Sequence, residues 1–424
     1  MQIYRYPLFK SWPEITQRPS TDYADKIQTV REVMQKIRED GDAAIREYTN
    51  QFDHVDIADF KVTEEEVAAA NRIISPALKK SISIAARNID TFHVVQRIPH
   101  RVVETMPGVK CWQKSVPIER VGLYIPGGSA PLFSTVLMLG IPAMLAGCRD
   151  VVLCTPPDVN GEIHPAILFA ASVCHITEIY KIGGMQAIGA MAYGTETIKK
   201  VDKIFGPGNS WVTAAKQFVA MADCAIDMPA GPSEVAVMAD ETANPAFVAA
   251  DLLSQAEHGP DSQVILVTTK EQLIKDVVKE MGKQLKELPR SVTAAKALAN
   301  SRAILVNDVE EMLGLINFYA PEHLIIATKD AAVLAERIMN AGSVFIGNYS
   351  PESAGDYASG TNHTLPTNGW AKSFSGIGLD SFCKKITYQE ITKEGIKQLG
   401  PIIEEMAEAE QLFAHKNAAT LRMK

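Results

Sequence analysis

Short apolar runs alternate with helical segments from about Ile118 onward, and this alternation constrains the fold more than any other feature of the sequence. The first runs fall at 121–125, 150–155, 176–182 and 203–205. The segments at 132–147, 164–174, 186–193 and 210–221 have the length and composition of helices. Repeated strand–helix units predict an α/β fold in which helices cover both faces of a parallel sheet.

The same alternation of apolar runs and helical segments begins again after a Pro/Gly-rich break at 227–232. Further strands are predicted at 234–238, 264–268, 303–306, 324–328 and 343–346, with helices at 245–257, 271–287, 309–318 and 331–340. A second parallel sheet is therefore expected. The two units share no convincing residue-by-residue repeat.

The regions on either side of the two α/β units are predicted to be helical. Residues 20–97 carry apolar positions at helical spacing, and a capping box begins at Thr63. After Asp380 the sequence indicates helix, with 395–424 forming a tail. The predicted organisation is a helical N-terminal region (1–117), a first α/β domain (118–232), a second α/β domain (233–380) and a helical C-terminal tail (381–424).

The composition argues against several classes of protein. A net charge of −8 gives no electrostatic reason to bind nucleic acid or an anionic membrane. The six cysteines are irregularly spaced without a CxxC pair, which indicates neither a thiolate zinc site nor disulfides and favours a reducing, cytoplasmic location. The uncharged stretch 121–148 could span a bilayer, but prolines and glycines at 126–128, 140 and 142 interrupt it, so no membrane span is predicted.

Three glycine-rich turns mark the first α/β unit, at 124–129, 182–186 and 205–209. Each follows a predicted strand and precedes a helix, where glycine lets a ligand approach the backbone and the helix N-terminus favours an anion. Tyr124, Gln186 and Asn209 are placed to contact a ligand at the carboxyl edge of the sheet. No turn is a GxGxxG fingerprint, so these residues indicate either a nucleotide site or turns that simply require glycine.

Polar residues with catalytic potential cluster in the second unit. Gln255 and His258 are spaced i, i+3 near the end of a helix that Gly259 and Pro260 stop, so they share one face. Glu322 and His323, just before a strand, are suited to general acid/base chemistry. The remaining candidates are Asp356, His363, Glu410 and His415.

Four of these residues supply enough nitrogen and oxygen donors for a zinc ion, although they lie far apart in sequence: His258, Asp356, His363 and His415. Glu410 and His415 are i, i+5 on a predicted helix, about 140° apart around its axis. These residues indicate an α/β enzyme with a metal and a nucleotide as candidate cofactors. They leave a dehydrogenase and a hydrolase as alternatives.

Six longer motifs follow one another along the chain: YIPGG (124–128), KIFGPGN (203–209), DMPAGPSE (227–234), SQAEHGPDSQ (254–263), APEH (320–323) and SGTNHTLPT (359–367). Together they resemble the histidinol dehydrogenase family. The resemblance implies two incomplete Rossmann-like domains and a homodimer. It also implies oxidation of L-histidinol to L-histidine with zinc and two NAD, in the last steps of histidine biosynthesis.

The same resemblance assigns roles residue by residue. It implies zinc ligands at Gln255, His258, Asp356 and His415. It implies substrate contacts at Ser233, Gln255, His258, His323, Asp356, His363, Glu410 and His415, and NAD contacts at Tyr124, Gln186 and Asn209. Glu410 and His415 would reach the site from the partner subunit, so that the active site is shared.

The resemblance also implies a mechanism and leaves two rivals to weigh. His323 would be the base for the alcohol proton, and Glu322 would activate the water that adds to a bound aldehyde. Relatives that oxidise sulfonated diols are one alternative, but Glu410 and His415 suit an amine and an imidazole better than a sulfonate. A zinc hydrolase that uses Glu322 and His323 on water is the other.

Overall fold

The computed structural model describes residues 1–19, 24–127, 130–229 and 231–424, with the backbone alone for Ala24. Some predictions involve other positions: the start of the first long helix near Tyr23, the turn containing Gly128 and Ser129, and Ala230 in the break between the α/β units. These positions lie outside the described residues. Within the described part of the chain, no helix is both long and apolar enough to cross a lipid bilayer.

The N-terminal region begins with a strand and continues mainly as helices. Its elements are β1 (Gln2–Arg5), α1 (Trp12–Ile15), α2 (Ala24–Asp40), α3 (Asp42–Asp53), α4 (Glu64–Ile73), α5 (Pro76–Val94), β2 (Val102–Met106) and β3 (Val109–Pro117). The predicted capping box is present, because Thr63 and Glu66 each accept a hydrogen bond from the other's backbone N–H. The N-terminal region is mainly helical, as predicted, and it also contains three strands that the sequence did not indicate.

The first α/β unit forms a parallel sheet, as predicted. Its elements are β4 (Arg120–Tyr124), α6 (Phe133–Ala146), β5 (Asp150–Thr155), α7 (Pro165–Val173), β6 (Glu178–Lys181), α8 (Gly184–Tyr193), β7 (Lys203–Phe205), α9 (Ser210–Ala220) and β8 (Ala225–Ile226). The strand order is β6-β5-β4-β7-β8. Each predicted strand lies within two residues of an observed one, because continuous apolar runs are typical of strands buried on both faces.

The second unit is also a parallel sheet. Its elements are β9 (Glu234–Ala239), α10 (Pro245–Ala256), β10 (Gln263–Thr268), α11 (Glu271–Gln284), α12 (Ser291–Ala299), β11 (Arg302–Leu305), α13 (Val309–Tyr319), β12 (His323–Ala327), α14 (Ala331–Ala335), β13 (Ser343–Ile346) and α15 (Glu352–Tyr357). The strand order is β1-β11-β10-β9-β12-β13, so the N-terminal strand extends this sheet by pairing with β11. The helix predicted at 331–340 is shorter, ending at Ala335.

An antiparallel sheet joins the N-terminal region to the C-terminal tail. Strand β14 (Cys383–Ile391) pairs with β3, which also pairs with β2. Trp112 of β3 lies opposite Tyr388 of β14, and their rings stack with centroids 5.4 Å apart. The prediction that the chain is helical from 381 onward is therefore wrong for β14, because its pairing partner is distant in sequence. Helices α16 (Lys393–Ala409) and α17 (Phe413–Met423) complete the tail.

The N-terminal helices build both outer layers of the first unit. Apolar side chains of α2 and α3, such as Val30 and Ile45, share a core with Ile188 of α8 and Val212 of α9. Helices α4 and α5 pack with α6 and α7 on the other face of the sheet. The first unit is therefore covered on both faces, as predicted for a parallel sheet.

The strand order of the first sheet creates a crevice between β4 and β7. From β4 the chain proceeds through β5 to β6 on one side and then crosses to β7 on the other. In open α/β sheets, ligands bind outside the carboxyl ends of the strands at such a reversal. Tyr124 ends β4 and Gly206 follows β7, so two of the predicted ligand turns meet here.

A buried ion pair holds the turn that begins at Gly206. Asp227 accepts from the Gly206 N–H at 2.8 Å, and the Lys216 ammonium donates to the Gly206 carbonyl at 2.7 Å and to Asp227 at 2.5 Å. Lys216 and Asp227 are buried, so truncating either would leave the other charge uncompensated. This pair fixes the backbone at the crevice.

Gly206 itself has no room for a side chain. Its φ is +123°, and a Cβ would overlap the backbone oxygen of Tyr124. We expect Gly206→Ala to lower the free energy of unfolding by about 2–3 kcal/mol, because it combines an unfavourable φ with a steric clash. The matched control is Gly282→Ala in α11, where a Cβ meets no atom within 4 Å. That change should stabilise by about 0.5–1 kcal/mol, since alanine is the better helix former.

Thermal unfolding of the two variants and the parent chain checks this contrast. The unfolding midpoint should fall for Gly206→Ala and stay level or rise for Gly282→Ala. Equal midpoints would contradict the steric argument for the crevice.

Candidate active site

The polar residues of the second unit meet at the amino ends of β9 and β12, which are neighbours in the sheet. His323 is the first residue of β12, Glu322 precedes it, and Glu234 begins β9. The Glu234 N–H donates to Oε2 of Glu322 at 2.8 Å, and the Glu234 carbonyl accepts from Nδ1 of His323 at 3.1 Å. The backbone of one strand therefore orients both the acid and the imidazole that the sequence singled out.

This edge of the second sheet faces the first unit. Nδ1 of His363 donates to the backbone oxygen of Asp356 at 2.9 Å, and its Nε2 lies 3.1 Å from Oγ1 of Thr135 in α6. Asn362 donates to the carbonyl of Met138 in the same helix at 2.6 Å. Because α6 follows the strand that ends at Tyr124, the crevice of the first sheet and the polar cluster of the second are on adjacent surfaces.

Gln255 and His258 enter the cluster from the end of α10. The helix ends at Ala256, slightly earlier than predicted, and Glu257 caps it. The His258 N–H donates to the Gln255 carbonyl at 3.3 Å, so the chain completes one tight turn that keeps the i, i+3 relation. Gln255 is buried, whereas His258 is exposed.

Helix α15 supplies two carboxylates, spaced i, i+4 on one face. Oδ1 of Asp356 lies 3.5 Å from Nε2 of His323, and neither atom has a hydrogen-bond partner among the described residues. Glu352 is buried and accepts from the hydroxyl of Ser254 at 3.1 Å. Ligand atoms of His258, Glu352 and Asp356 all lie within 4.8 Å of one another, a spacing that could hold a metal ion.

The cluster carries an excess of negative charge. The pKa of Glu352 is raised to about 8, mainly by burial; His323 lowers this pKa, and the neighbouring Asp356 and Glu322 raise it. Burial by itself lowers the pKa of His323, but the carboxylates of Glu322, Glu352 and Asp356 outweigh it and raise that pKa well above its usual value. Such a pocket favours a cationic ligand over an anionic one.

Arg18 compensates one further carboxylate next to this cluster. Its guanidinium binds both oxygens of Glu234, at 2.5 and 2.9 Å, and lies over the ring of Tyr319. Glu234 is thereby paired with a cation, which leaves Glu322, Glu352 and Asp356 as the acidic groups around His323. The N-terminal region thus contributes to the electrostatics of the cluster.

Comparison with known proteins gives the family. The family model described as histidinol dehydrogenase matches residues 16–423. The chain is 60% identical to histidinol dehydrogenase of Bacteroides thetaiotaomicron over 423 residues, covering 100% of this chain and 99% of that protein. The chain belongs to the histidinol dehydrogenase family. It is therefore an oxidoreductase.

A further relative and a crystal structure indicate the same family. The chain is 52% identical over 413 residues to histidinol dehydrogenase of Escherichia coli, covering 97% of this chain and 94% of that protein. A crystal structure of histidinol dehydrogenase from Elizabethkingia anophelis matches with a TM-score of 0.96 and 54% identity, covering 100% of this chain and 98% of that one. The α/β fold class with helical flanking regions is confirmed by this similarity.

The structure brings most of the predicted site residues together. Gln255, His258, Glu322, His323, Asp356 and His363 form the cluster. Ser233 immediately precedes β9 at the same edge of the sheet, where its carbonyl accepts from the N–H of Gln263 at 3.1 Å. Their assignment to substrate or metal stays a prediction.

Glu410 and His415 lie apart from the cluster. Both are exposed, and within the described ranges no hydrogen bond or ion pair joins them to it. The prediction that one helix carries both is wrong. Glu410 caps the end of α16, Gln411 has a left-handed φ of +61°, and a new helix starts at Phe413.

The predicted NAD residues lie at the carboxyl edge of the first sheet. The Tyr124 hydroxyl accepts from the Gly184 N–H at 3.1 Å, and Gln186 donates to Asp53 of α3 at 3.0 Å. Asn209 caps α9 by accepting from two backbone N–H groups. Burial raises the pKa of Asp53 to about 6. These contacts fix the turns, while Oε1 of Gln186 is buried without a partner in the described structure.

Sequence reasoning missed Glu352, Arg18 and the pair of Lys216 with Asp227. Glu352 could have been found, because its i, i+4 spacing from Asp356 places both carboxylates on one helical face. Arg18 and Lys216 offered no such signal, since each meets a carboxylate from a different element. Their roles depend on tertiary packing.

Proposed function

We propose that this chain oxidises L-histidinol to L-histidine through a bound aldehyde, using zinc and two NAD, in the last steps of histidine biosynthesis. The observation that carries the proposal is the buried, acid-rich cluster around His323, which can bind a cation and move protons. The 52–60% identity to proteins named histidinol dehydrogenase supports the choice of substrate.

The cluster fits a zinc ion. It offers imidazole and oxygen donors, and Oδ1 of Asp356 has no hydrogen-bond partner among the described residues. We assign Gln255, His258 and Asp356 as ligands, with His415 of the partner subunit as the fourth. When bound, zinc would hold the imidazole and amino groups of the substrate and orient its alcohol.

The charge of the cluster also favours histidinol over a sulfonated diol. Glu322 and Asp356 would repel a sulfonate, whereas a protonated amine or a metal cation reduces the repulsion that raises the pKa of Glu352. Glu410 of the partner subunit is assigned to the substrate amine for the same reason. Substrate contacts are further assigned to Ser233 and His363.

His323 is the proposed general base. Its Nδ1 is held by the Glu234 carbonyl, so Nε2 is the nitrogen left to exchange a proton with the substrate. The carboxylates around His323 favour its imidazolium form, and a cation bound at Asp356 would offset part of their charge. His323 then takes the hydroxyl proton of the alcohol while a hydride leaves the alcohol carbon for the nicotinamide of NAD.

Glu322 is assigned to the second half of the reaction. Its carboxylate takes a proton from water as the water oxygen bonds to the aldehyde carbon, while the protonated His323 gives its proton to the aldehyde oxygen, which forms a hydrate. His323 takes the proton of a hydrate hydroxyl while a second hydride leaves for another NAD, and the acid results. Keeping the aldehyde bound in a shielded site protects it from side reactions.

The crevice of the first sheet is the proposed NAD site. Helix α8 begins at Gly184 without a side-chain cap from Gly183, and the Tyr124 hydroxyl accepts from the Gly184 N–H at this end. A helix N-terminus favours a phosphate. Tyr124, Gln186 and Asn209 are assigned to this site, and the unpartnered Oε1 of Gln186 is available to a cofactor donor. The absence of a GxGxxG fingerprint in the sequence is consistent with an incomplete Rossmann-like unit.

A homodimer is also proposed. The tail exposes Met406 and Phe413, each 61% accessible, together with Ile402 and Leu412. An apolar surface of this kind favours burial against another chain. A second copy would cover it and bring Glu410 and His415 to the neighbouring cluster.

Coupled measurement of NADH and histidinol tests the reaction. Two NADH per histidinol consumed are expected, because the alcohol and the aldehyde hydrate each lose one hydride. One NADH would show that the reaction stops at the aldehyde. No NADH together with hydrolysis of an ester or amide would instead support the zinc hydrolase.

Removal of zinc should abolish turnover. Treatment with a strong chelator, followed by its removal, is expected to lower the rate by at least about tenfold, because the substrate loses its orienting partner. Added Zn²⁺ should restore the rate. Full turnover in protein that metal analysis shows to be free of zinc would contradict the proposal.

A further inference from the structure

Glu352 is a buried carboxylate to which neither the sequence motifs nor the mechanism above gives a role. It is only 1% exposed and accepts from the hydroxyl of Ser254 at 3.1 Å. One of its oxygens lies 3.9 Å from Nδ1 of His323, and it shares the spacing that joins the ligand atoms of His258 and Asp356. Burial of a carboxylate costs free energy unless the group forms hydrogen bonds or ion pairs.

The closest partner of Glu352 is the side-chain amide of Gln255. This amide lies between the carboxylate of Glu352 and the backbone N–H of Glu234. Only one orientation makes hydrogen bonds on both sides: the amide nitrogen donates to Glu352, and the amide oxygen accepts from the Glu234 N–H at 3.2 Å. Glu352 therefore determines which end of the amide faces which neighbour.

The amide oxygen in this orientation is weakly engaged. The Glu234 N–H already donates to Oε2 of Glu322 at 2.8 Å, so Oε1 of Gln255 only shares that donor. The oxygen is therefore available to a stronger partner. Without Glu352 the amide could turn over and present its NH₂ group, which cannot bind a cation.

We propose that Glu352 is a positioning residue that holds the amide nitrogen of Gln255 and so reserves the amide oxygen for the metal ion. A carboxylate that accepts from the NH₂ group also polarises the amide and makes its oxygen a better donor, as carboxylates do for metal-bound histidines. This explains how a neutral glutamine can serve as a ligand. The inference rests on the proposed zinc site.

Zinc affinity of the purified, metal-stripped dimer tests the proposal, measured by competition with a chromophoric chelator. We expect Glu352→Gln to weaken zinc binding by about 10–100-fold, the range typical of lost outer-shell partners. Glu352→Asp keeps the charge but withdraws it from the amide, and it should weaken binding in the same direction. The matched control is Glu257→Gln, which removes the same charge beside His258 from a residue that caps α10.

A double-mutant cycle separates positioning from direct ligation. If Glu352 acts through Gln255, then Glu352→Gln should change zinc affinity by less than about twofold in a Gln255→Leu background. If Glu352 is itself a ligand, the two losses will add, and the proposal is wrong. Absorption of the Co²⁺-loaded proteins gives a second readout: the bands of Glu352→Gln should shift toward those of Gln255→Leu.

Other outcomes are equally decisive. Wild-type zinc affinity in Glu352→Gln, or an equal loss in the Glu257→Gln control, would overturn the positioning role and leave the proposed function standing. A parent protein that binds no zinc would overturn the zinc site itself. Thermal unfolding of each variant shows whether the fold is retained, and Glu352→Asp provides the test if Glu352→Gln does not fold.

Discussion

Replacement of His323 by alanine is expected to lower kcat by about 10²–10⁴-fold, the usual contribution of a positioned general acid or base, while the fold stays intact. The ring is buried, and its Nδ1 is committed to the Glu234 carbonyl. Only Nε2 is left to accept the alcohol proton, so no other atom of this residue can replace it. The loss should appear in kcat more than in KM, because the proton moves only in the transition state.

His323→Asn distinguishes lost chemistry from lost structure. Its amide NH₂ can still donate to the Glu234 carbonyl, but it offers no basic nitrogen at the position of Nε2. We expect it to fold like the parent chain and to lose as much activity as His323→Ala. His100→Ala is the control, because His100 is exposed outside the cluster, where its ring contacts Trp112.

Steady-state kinetics and circular dichroism of the three variants are the measurements. A kcat for His323→Asn within about tenfold of the parent value would show that His323 is not the principal base. Glu322 would then be the next candidate, since its carboxylate lies 3.6 Å from Nδ1 of His323.

Much of the fold could be predicted because its central strands are buried on both faces. Continuous apolar runs such as 150–155 and 203–205 identify strands with correct limits, and the glycine turns identify where they end. Strands β1, β3 and β14 gave no comparable signal. They are partly exposed, and their pairing partners lie far away in sequence, as Trp112 and Tyr388 do.

The candidate site was likewise predictable only in part. The sequence indicates His258, His323 and Asp356 because imidazoles and carboxylates are the side chains that bind zinc and transfer protons. It does not show that Glu352 meets Gln255, since only the packing of α15 against α10 brings them together. It also suggests one helix through Glu410, because the left-handed conformation of Gln411 has no local signature.

A mixed dimer of two inactive variants is expected to recover activity if the site is shared between subunits. Asp356→Ala removes a proposed ligand of the main cluster, and His415→Ala removes the proposed ligand from the exposed tail. Each homodimer should therefore be almost inactive. In the mixed dimer, one site combines an intact cluster with an intact tail, so about half of the parent activity should return by the symmetry of a twofold dimer.

The physical basis of this expectation is the separation between the tail and the cluster. His415 is exposed on α17, and no hydrogen bond or ion pair in the described ranges joins it to His258 or Asp356. We therefore expect it to become a ligand by entering the cluster of a second copy. The exposed Phe413 beside it supplies apolar surface that would be buried in the same contact.

The two chains of a mixed dimer are coexpressed with different tags, so that the mixed dimer can be purified. A second pair of variants provides the control. A mixed dimer of Asp356→Ala with His258→Ala combines two defects of the main cluster, so each of its sites lacks one ligand and activity should not return. Recovery in the first pair alone would place His415 in the partner's site. If neither mixed dimer recovers activity, or if both do, the shared site is wrong and the fourth zinc ligand must come from within the chain, where Glu352 lies within ligand spacing of His258 and Asp356.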